Sequence, residues 1–160
     1  MQWQIRTVLT VDILIRPARS VDIPRMAELL KELFTLEADF SPDVEKQVHG
    51  LSALVADPSG RSLVLVADQA GSVVGMATVQ TLISTAEGGR VGVVEDVIVA
   101  ATHRRKGIGC LLLAEIETWS RRKGLKRLQL LADRENLSAI DFYSRCGWSK
   151  TSLICLRNML

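Results

Sequence analysis

Histidine is nearly missing from this sequence, with only His49 and His103 present. The three cysteines, Cys110, Cys146 and Cys155, are odd in number and show no CxxC spacing. So few soft ligands leave no metal site to expect. The simplest account of the cysteines is three reduced thiols in a cytoplasmic protein. Aromatics are scarce too, at three Trp, three Phe and one Tyr, which leaves little to stack on exposed bases. Neither charge sign dominates: 20 Lys plus Arg stand against 18 Asp plus Glu, a net charge of +2. That balance argues against a dedicated nucleic-acid binder or a polybasic membrane protein. No apolar run reaches the ~18 residues of a membrane span. The run over residues 8–15 is broken by Thr10 and Asp12 and lacks a small-residue cleavage site, so no signal peptide is expected.

What is present suits one folded domain over residues 1–160, with residues 1–10 as an extension or frayed arm. The chain is 48% apolar and 24% charged, ordinary globular usage. At this length about two-thirds of the unfolded surface can be buried. No repeat, linker or low-complexity run divides it.

Residues 12–17 read as a first strand. Asp22 and Pro24 open a helix whose apolar positions Met26, Leu29, Leu30, Leu33 and Phe34 recur at helical spacing. Ser41-Pro42-Asp43 predicts a second helix, with Ser41 as N-cap and Pro42 in the first turn. Three strands follow over residues 62–68, 73–84 and 91–99, with turns at Ala70-Gly71-Ser72 and Glu87-Gly88-Gly89-Arg90. The order then changes to a helix over 106–123, a strand over 127–132 and a helix over 137–145 stopped by Gly147. Residues 150–157 suit a closing strand. The fold expected is α+β: a mixed, mostly antiparallel central sheet flanked by helices.

The chemistry concentrates in Val93-Val94-Glu95-Asp96-Val97-Ile98-Val99, the loop Ala100-Ala101-Thr102-His103, and the basic turn Arg104-Arg105-Lys106-Gly107-Ile108-Gly109-Cys110. N–H groups at a helix start attract anions, and glycine lets a ligand approach the backbone. A Walker loop is absent, and a dinucleotide fingerprint lacks its third glycine after Gly107-Ile108-Gly109. What remains is Arg104-x-x-Gly107-x-Gly109. Between a strand and a helix, this resembles the pyrophosphate-binding signature of the GCN5-related N-acetyltransferase (GNAT) superfamily. The next βα unit is similar as well: Asn136-x6-Tyr143, then Phe142-Tyr143-x3-Gly147-Trp148. The resemblance runs from about residue 13 to residue 148 and is weakest in the first two helices.

The resemblance implies an acetyl-CoA-dependent N-acetyltransferase that passes the acetyl group directly to a primary amine of a small molecule or peptide. The backbone of Val97, Ile98 and Val99 would pair with the pantetheine arm, and an N–H near Ile98 would polarise the thioester. Arg104, Arg105, Lys106, Gly107, Ile108, Gly109 and Cys110 would hold the pyrophosphate, and Asn136 would bond the pantetheine or its neighbouring backbone. Tyr143 matches the acid that protonates the departing thiolate, unless it is a core aromatic beside Phe142. Glu95 falls where many members place the general base, and its alternative is a surface partner of Arg90. Strand alternation sends Glu95 and Asp96 to opposite faces, leaving Asp96 a structural role. His103 is expected to serve packing or to anchor the loop.

Charge is divided along the chain. Residues 103–127 hold eight Lys/Arg and two Asp/Glu, and residues 28–57 hold two Lys and seven Asp/Glu. The basic part suits phosphates and the acidic part suits a cationic acceptor. Two rivals come from other classes: a non-catalytic coenzyme A-binding regulatory module, and an interaction domain using the basic clusters. No metal, membrane or nucleic-acid partner is expected. The oligomeric state is left open, a homodimer included.

Overall fold

Five strands lie in the sheet in the same order as in the chain, β1 to β5. The computed structural model describes residues 12–37 and 39–160; residues 1–10, read above as an extension, lie outside the described residues. The elements are β1 (Ile13–Pro17), α1 (Ile23–Leu36), α2 (Val44–Val55), β2 (Ser62–Gln69), β3 (Ser72–Ser84), β4 (Gly89–Val99), α3 (Ile108–Arg122), β5 (Leu128–Leu130) and α4 (Leu137–Arg145). Pairings from β1 to β4 are antiparallel, and β4 with β5 is parallel. Short turns join β2 to β3 and β3 to β4, whereas α1 and α2 lie between β1 and β2. The β2–β3 turn uses Ala70 and Gly71 at φ of +50° and +87°, the sign that matches the twist of a hairpin. The parallel pair needs a crossover, which α3 supplies.

Alternation along the strands divides the core in two. Val64, Val66, Met76 and Ile98 face α1 and α2, meeting Met26, Leu29, Leu30 and Leu51. Leu65, Ala77, Val79 and Val94 face the other way, onto Ile108, Leu112, Leu113 and Ile116 of α3. Because both faces are covered, β2 and β3 read as nearly continuous apolar runs.

Beyond shifts of one or two residues at the ends of several elements, β4, α3 and β5 among them, three features differ from the sequence reading. First, α2 begins at Val44, because the Asp43 carboxylate, not Ser41, accepts the Lys46 amide at 3.2 Å. Second, Asp22 stands just before α1 as expected, but its side chain makes no capping bond. Its carboxylate is taken by the Arg16 guanidinium at 2.8 Å, which also reaches Asp68 at 2.9 Å and ties β1, β2 and the start of α1 together. That hydrogen bond from Arg16 is the main reason the Asp22 carboxyl titrates below its usual range. Third, residues 150–157 form no strand. A strand needs a neighbouring edge for its hydrogen bonds, and β5 offers three residues. The Arg157 guanidinium instead lies over the Phe40 ring, 4.7 Å from its centroid, and donates to the Asp39 carbonyl at 3.4 Å.

Candidate functional site

A bulge in β4 sets the site. Val79 pairs with Val94 and Ala77 with Val97, so Thr78 alone opposes both Glu95 and Asp96. Two residues against one breaks the alternation. Both carboxylates are thereby turned to the α1–α2 side, not to opposite faces as the regular strand predicted. Gln80 and Thr78, two apart on one face of β3, receive them. The Gln80 amide donates to Glu95 Oε2 at 3.0 Å, and the Thr78 hydroxyl donates to Asp96 Oδ2 at 3.1 Å.

The two carboxylates differ in environment. Glu95 is exposed, whereas Asp96 is half-buried above the fully buried Thr78. Burial pushes the Asp96 carboxyl up to about 6; Glu95 adds to the rise, the Thr78 hydrogen bond opposes it, and Glu37 adds a little more. A group poised there can exchange a proton near neutrality.

Just before the bulge, β5 stops pairing with β4, the last partners being Val94 and Leu130. Beyond that point β4 has an open edge. The Ala100 amide donates to Val74 of β3 at 2.8 Å. Alternation therefore turns the Ile98 amide toward β3 as well, and sends those of Val97 and Val99 to the open edge. The Ile98 side chain is buried in the α1–α2 core. One outward acceptor is already used, since Arg104 Nε donates to the Val99 carbonyl at 2.9 Å.

At the end of this edge a 3-10 turn, Ala101–His103, leads into the basic turn. Its His103 ring is held by Thr102 Oγ1 at 2.8 Å and Gln69 Oε1 at 2.7 Å, which pins the loop to the end of β2. Arg105 and Gly107 adopt φ of +60° and +80°. Gly107 is the N-cap of α3 and no side chain caps that helix. The first amides of α3, at Ile108, Gly109 and Cys110, thus keep their donors for an anion. Arg105 and Lys106 stand exposed beside them. Gly109 has a second reason to be glycine: a Cβ there would sit 2.8 Å from Phe142 Cζ of α4.

Helix α4 brings the remaining groups. Asn136 caps it, its Oδ1 accepting the Ala139 amide at 3.0 Å, so one side of this amide is committed to structure. Tyr143 packs between Phe142 and Trp148, with ring centroids 5.1 and 6.2 Å away. Burial pushes the Tyr143 phenol up to about 12, with the charges of Glu37, Cys146 and Asp96 adding to it. The phenol therefore keeps its proton at neutral pH. The charge of Glu37 bears on both Asp96 and Tyr143, and Glu37 is itself raised by burial and by Asp133 and Asp39.

The expected residues thus fall in one band: β4 from Glu95 to Val99, residues 104–110, and α4 from Asn136 to Tyr143. Thr78 and Gln69 had no signal in the sequence, because their roles arise from strands that lie far away in the chain. Among the described residues no group of three or more His, Cys, Asp or Glu is placed to hold a metal ion. No described helix is long and apolar enough to cross a membrane.

Comparison with known proteins agrees with this geometry. The pattern of the Acetyltransferase (GNAT) family matches residues 23–148. An uncharacterized N-acetyltransferase, YobR of Bacillus subtilis (strain 168), is 33% identical over 61 residues, 38% of this chain and only 25% of its own length. Aminoglycoside N(6')-acetyltransferase type 1 of Stenotrophomonas maltophilia is 27% identical over 143 residues, 88% of each chain. Among solved structures, an aminoglycoside N-acetyltransferase, AAC(6')-Iy in complex with CoA, superposes with a TM-score of 0.79 at 15% identity, covering 92% of this chain and 95% of that one.

Proposed function

The chain belongs to the acetyltransferase (GNAT) family, and we propose that it transfers an acetyl group from acetyl-CoA directly to a primary amine of a small cationic acceptor in the cytoplasm. The observation that carries this reading is the open edge of β4, which joins a bulged carboxylate pair at one end to an uncapped helix start at the other. An extended arm ending in a pyrophosphate fits such an edge. The outward amides of Val97 and Val99 suit pairing with the arm, and the first amides of α3 with Arg105 and Lys106 suit the phosphates.

Acetyl-CoA supplies the activated acyl thioester. The chain's own work is proton handling and orientation. An amine attacks only as the free base, and Asp96, raised to about 6 and held by Thr78, is the better acceptor for its proton. We therefore assign the base to Asp96 in place of Glu95, which is exposed and bonded to Gln80. Outward amides at Val97 and Val99, rather than the N–H of Ile98, would stabilise negative charge developing on the thioester oxygen. Tyr143, protonated at neutral pH, would donate to the departing sulfur. Glu37 and Asp39, near the α1–α2 connection, would attract an ammonium group. The similarity to enzymes named for aminoglycosides supports a small polyamine-like acceptor.

The test is a thiol-release assay with acetyl-CoA and a panel of amines, paired with calorimetry of acetyl-CoA binding. Turnover of a cationic amine, with binding lost in a folded Gly107→Glu variant, is expected. Binding without turnover of any amine would support the regulatory reading. No binding at all would remove both.

A further inference from the structure

Cys110 and Cys146 are 36 residues apart in the chain, yet their sulfurs lie 2.7 Å from each other. That is roughly 0.7 Å more than a disulfide bond. Both are free thiols. Cys110 is the third residue of α3, in the turn read above as the phosphate site, and Cys146 is the C-cap of α4, three residues after Tyr143. From this juxtaposition we propose that Cys110 and Cys146 form a peroxide-oxidisable dithiol whose disulfide locks α4 onto the start of α3. This goes beyond the acyl-transfer reading and does not depend on which amine is the acceptor.

The lock matters because α4 is weakly held. None of its residues is buried. Its grip on the domain comes from half-buried Phe142 and Tyr143, with Phe142 filling the space above Gly109. A covalent tie next to Gly109 would hold the same contact that this ring makes by packing alone. It would also fix the helix that carries the proton donor relative to the turn that carries the anion donors.

The two thiols are not equivalent. Cys110 is exposed, in the first turn of α3, where peroxide can reach its sulfur. Cys146 is half-buried and its thiol is pushed up to about 12, first by burial and then by Cys110 itself. Cys110 is therefore the attacking sulfur and Cys146 the resolving one. The Cys110 thiolate takes an oxygen from hydrogen peroxide, the O–O bond breaks, and hydroxide leaves; protonation gives a sulfenic acid and water. The Cys146 sulfur then displaces that hydroxyl as a second water and gives up its proton. The sum is two thiols and one peroxide to one disulfide and two waters, with two electrons passing from sulfur to oxygen.

The experiment treats the full chain with stoichiometric hydrogen peroxide, then maps peptides without reduction and records Tm. A monomeric species lighter by two hydrogens is expected, with Cys110 joined to Cys146 and Cys155 still open to alkylation. Tm should rise by about 5–15 °C, and dithiothreitol should reverse both changes. In Cys146→Ser, peroxide should add oxygen at Cys110 and leave Tm without that rise. Three alkylatable thiols after peroxide, or a bridge to Cys155, would overturn the pair. A mapped Cys110–Cys146 bridge with unchanged Tm would overturn the lock.

Discussion

Thr78 and Asp96 exchange two hydrogen bonds across the bulge: the Asp96 amide donates to Thr78 Oγ1 at 3.2 Å, and the same hydroxyl donates to Asp96 Oδ2 at 3.1 Å. One buried hydroxyl thus satisfies the bulged backbone and orients the carboxylate above it. The bulge and the chemistry share a single residue of β3.

If Asp96 is the base, kcat/KM should rise with pH through about 6 and level above it, because only the ionised carboxylate accepts a proton. Asp96→Asn should abolish that limb and lower the neutral rate about 10²–10⁴-fold. Glu95→Gln should retain the limb. The reverse pattern, with the limb lost in Glu95→Gln alone, would return the role to Glu95.

The same raised carboxyl has a cost in stability. Its folded value, about 6, lies above the ordinary carboxyl value of 3.8, so the folded chain holds the extra proton between these pH values. Stability should therefore fall as pH rises from about 4 to 6. Asp96→Asn should be about 1–2 kcal/mol more stable than the parent at pH 7, after allowance for partial exposure, and equal to it below pH 4. Denaturant midpoints at the two pH values decide this.

Tyr143→Phe should lower turnover about 10²–10⁴-fold while acetyl-CoA affinity and Tm change little, since the ring and its neighbours Phe142 and Trp148 are retained. Single-turnover rates separate chemistry from release. A variant with normal chemistry would leave Tyr143 as a packing residue.

Gly109→Ala should destabilise the chain by about 1–3 kcal/mol, the usual cost of overpacking. The cause is contact with the Phe142 ring, which the new methyl would meet at 2.8 Å. Combined with Phe142→Leu, the two effects should sum to less than their separate values. Strict additivity in a double-mutant cycle would place the cost elsewhere.

For the acceptor, kcat/KM of the best cationic amine should fall as salt rises, because screening confines attraction to ~8 Å at physiological ionic strength. It should fall again in a Glu37→Gln, Asp39→Asn double variant. Preference for an anionic acceptor, or rates indifferent to salt, would refute steering by these carboxylates.

Arg104-x-x-Gly107-x-Gly109 was legible because its meaning is local. A strand, a glycine at the helix start and adjacent cations follow one another within one stretch of chain, and so do Asn136 and Tyr143 in the next βα unit. The strand periods and the helical spacing of α1 are local in the same sense. They determined the α+β class, the order of elements and the band of residues that forms the candidate site. Tertiary pairing decided the rest. Which carboxylate is buried depends on Thr78, 18 residues away, opposing two residues instead of one. Whether residues 150–157 become a strand depends on the length of the β5 edge, not on their own alternation. The sulfurs of Cys110 and Cys146 meet because α3, β5 and α4 fold back on one another over 36 residues. Periodicity reports the face a residue would take in a regular element, whereas register, edges and long-range contact exist only once the elements have packed.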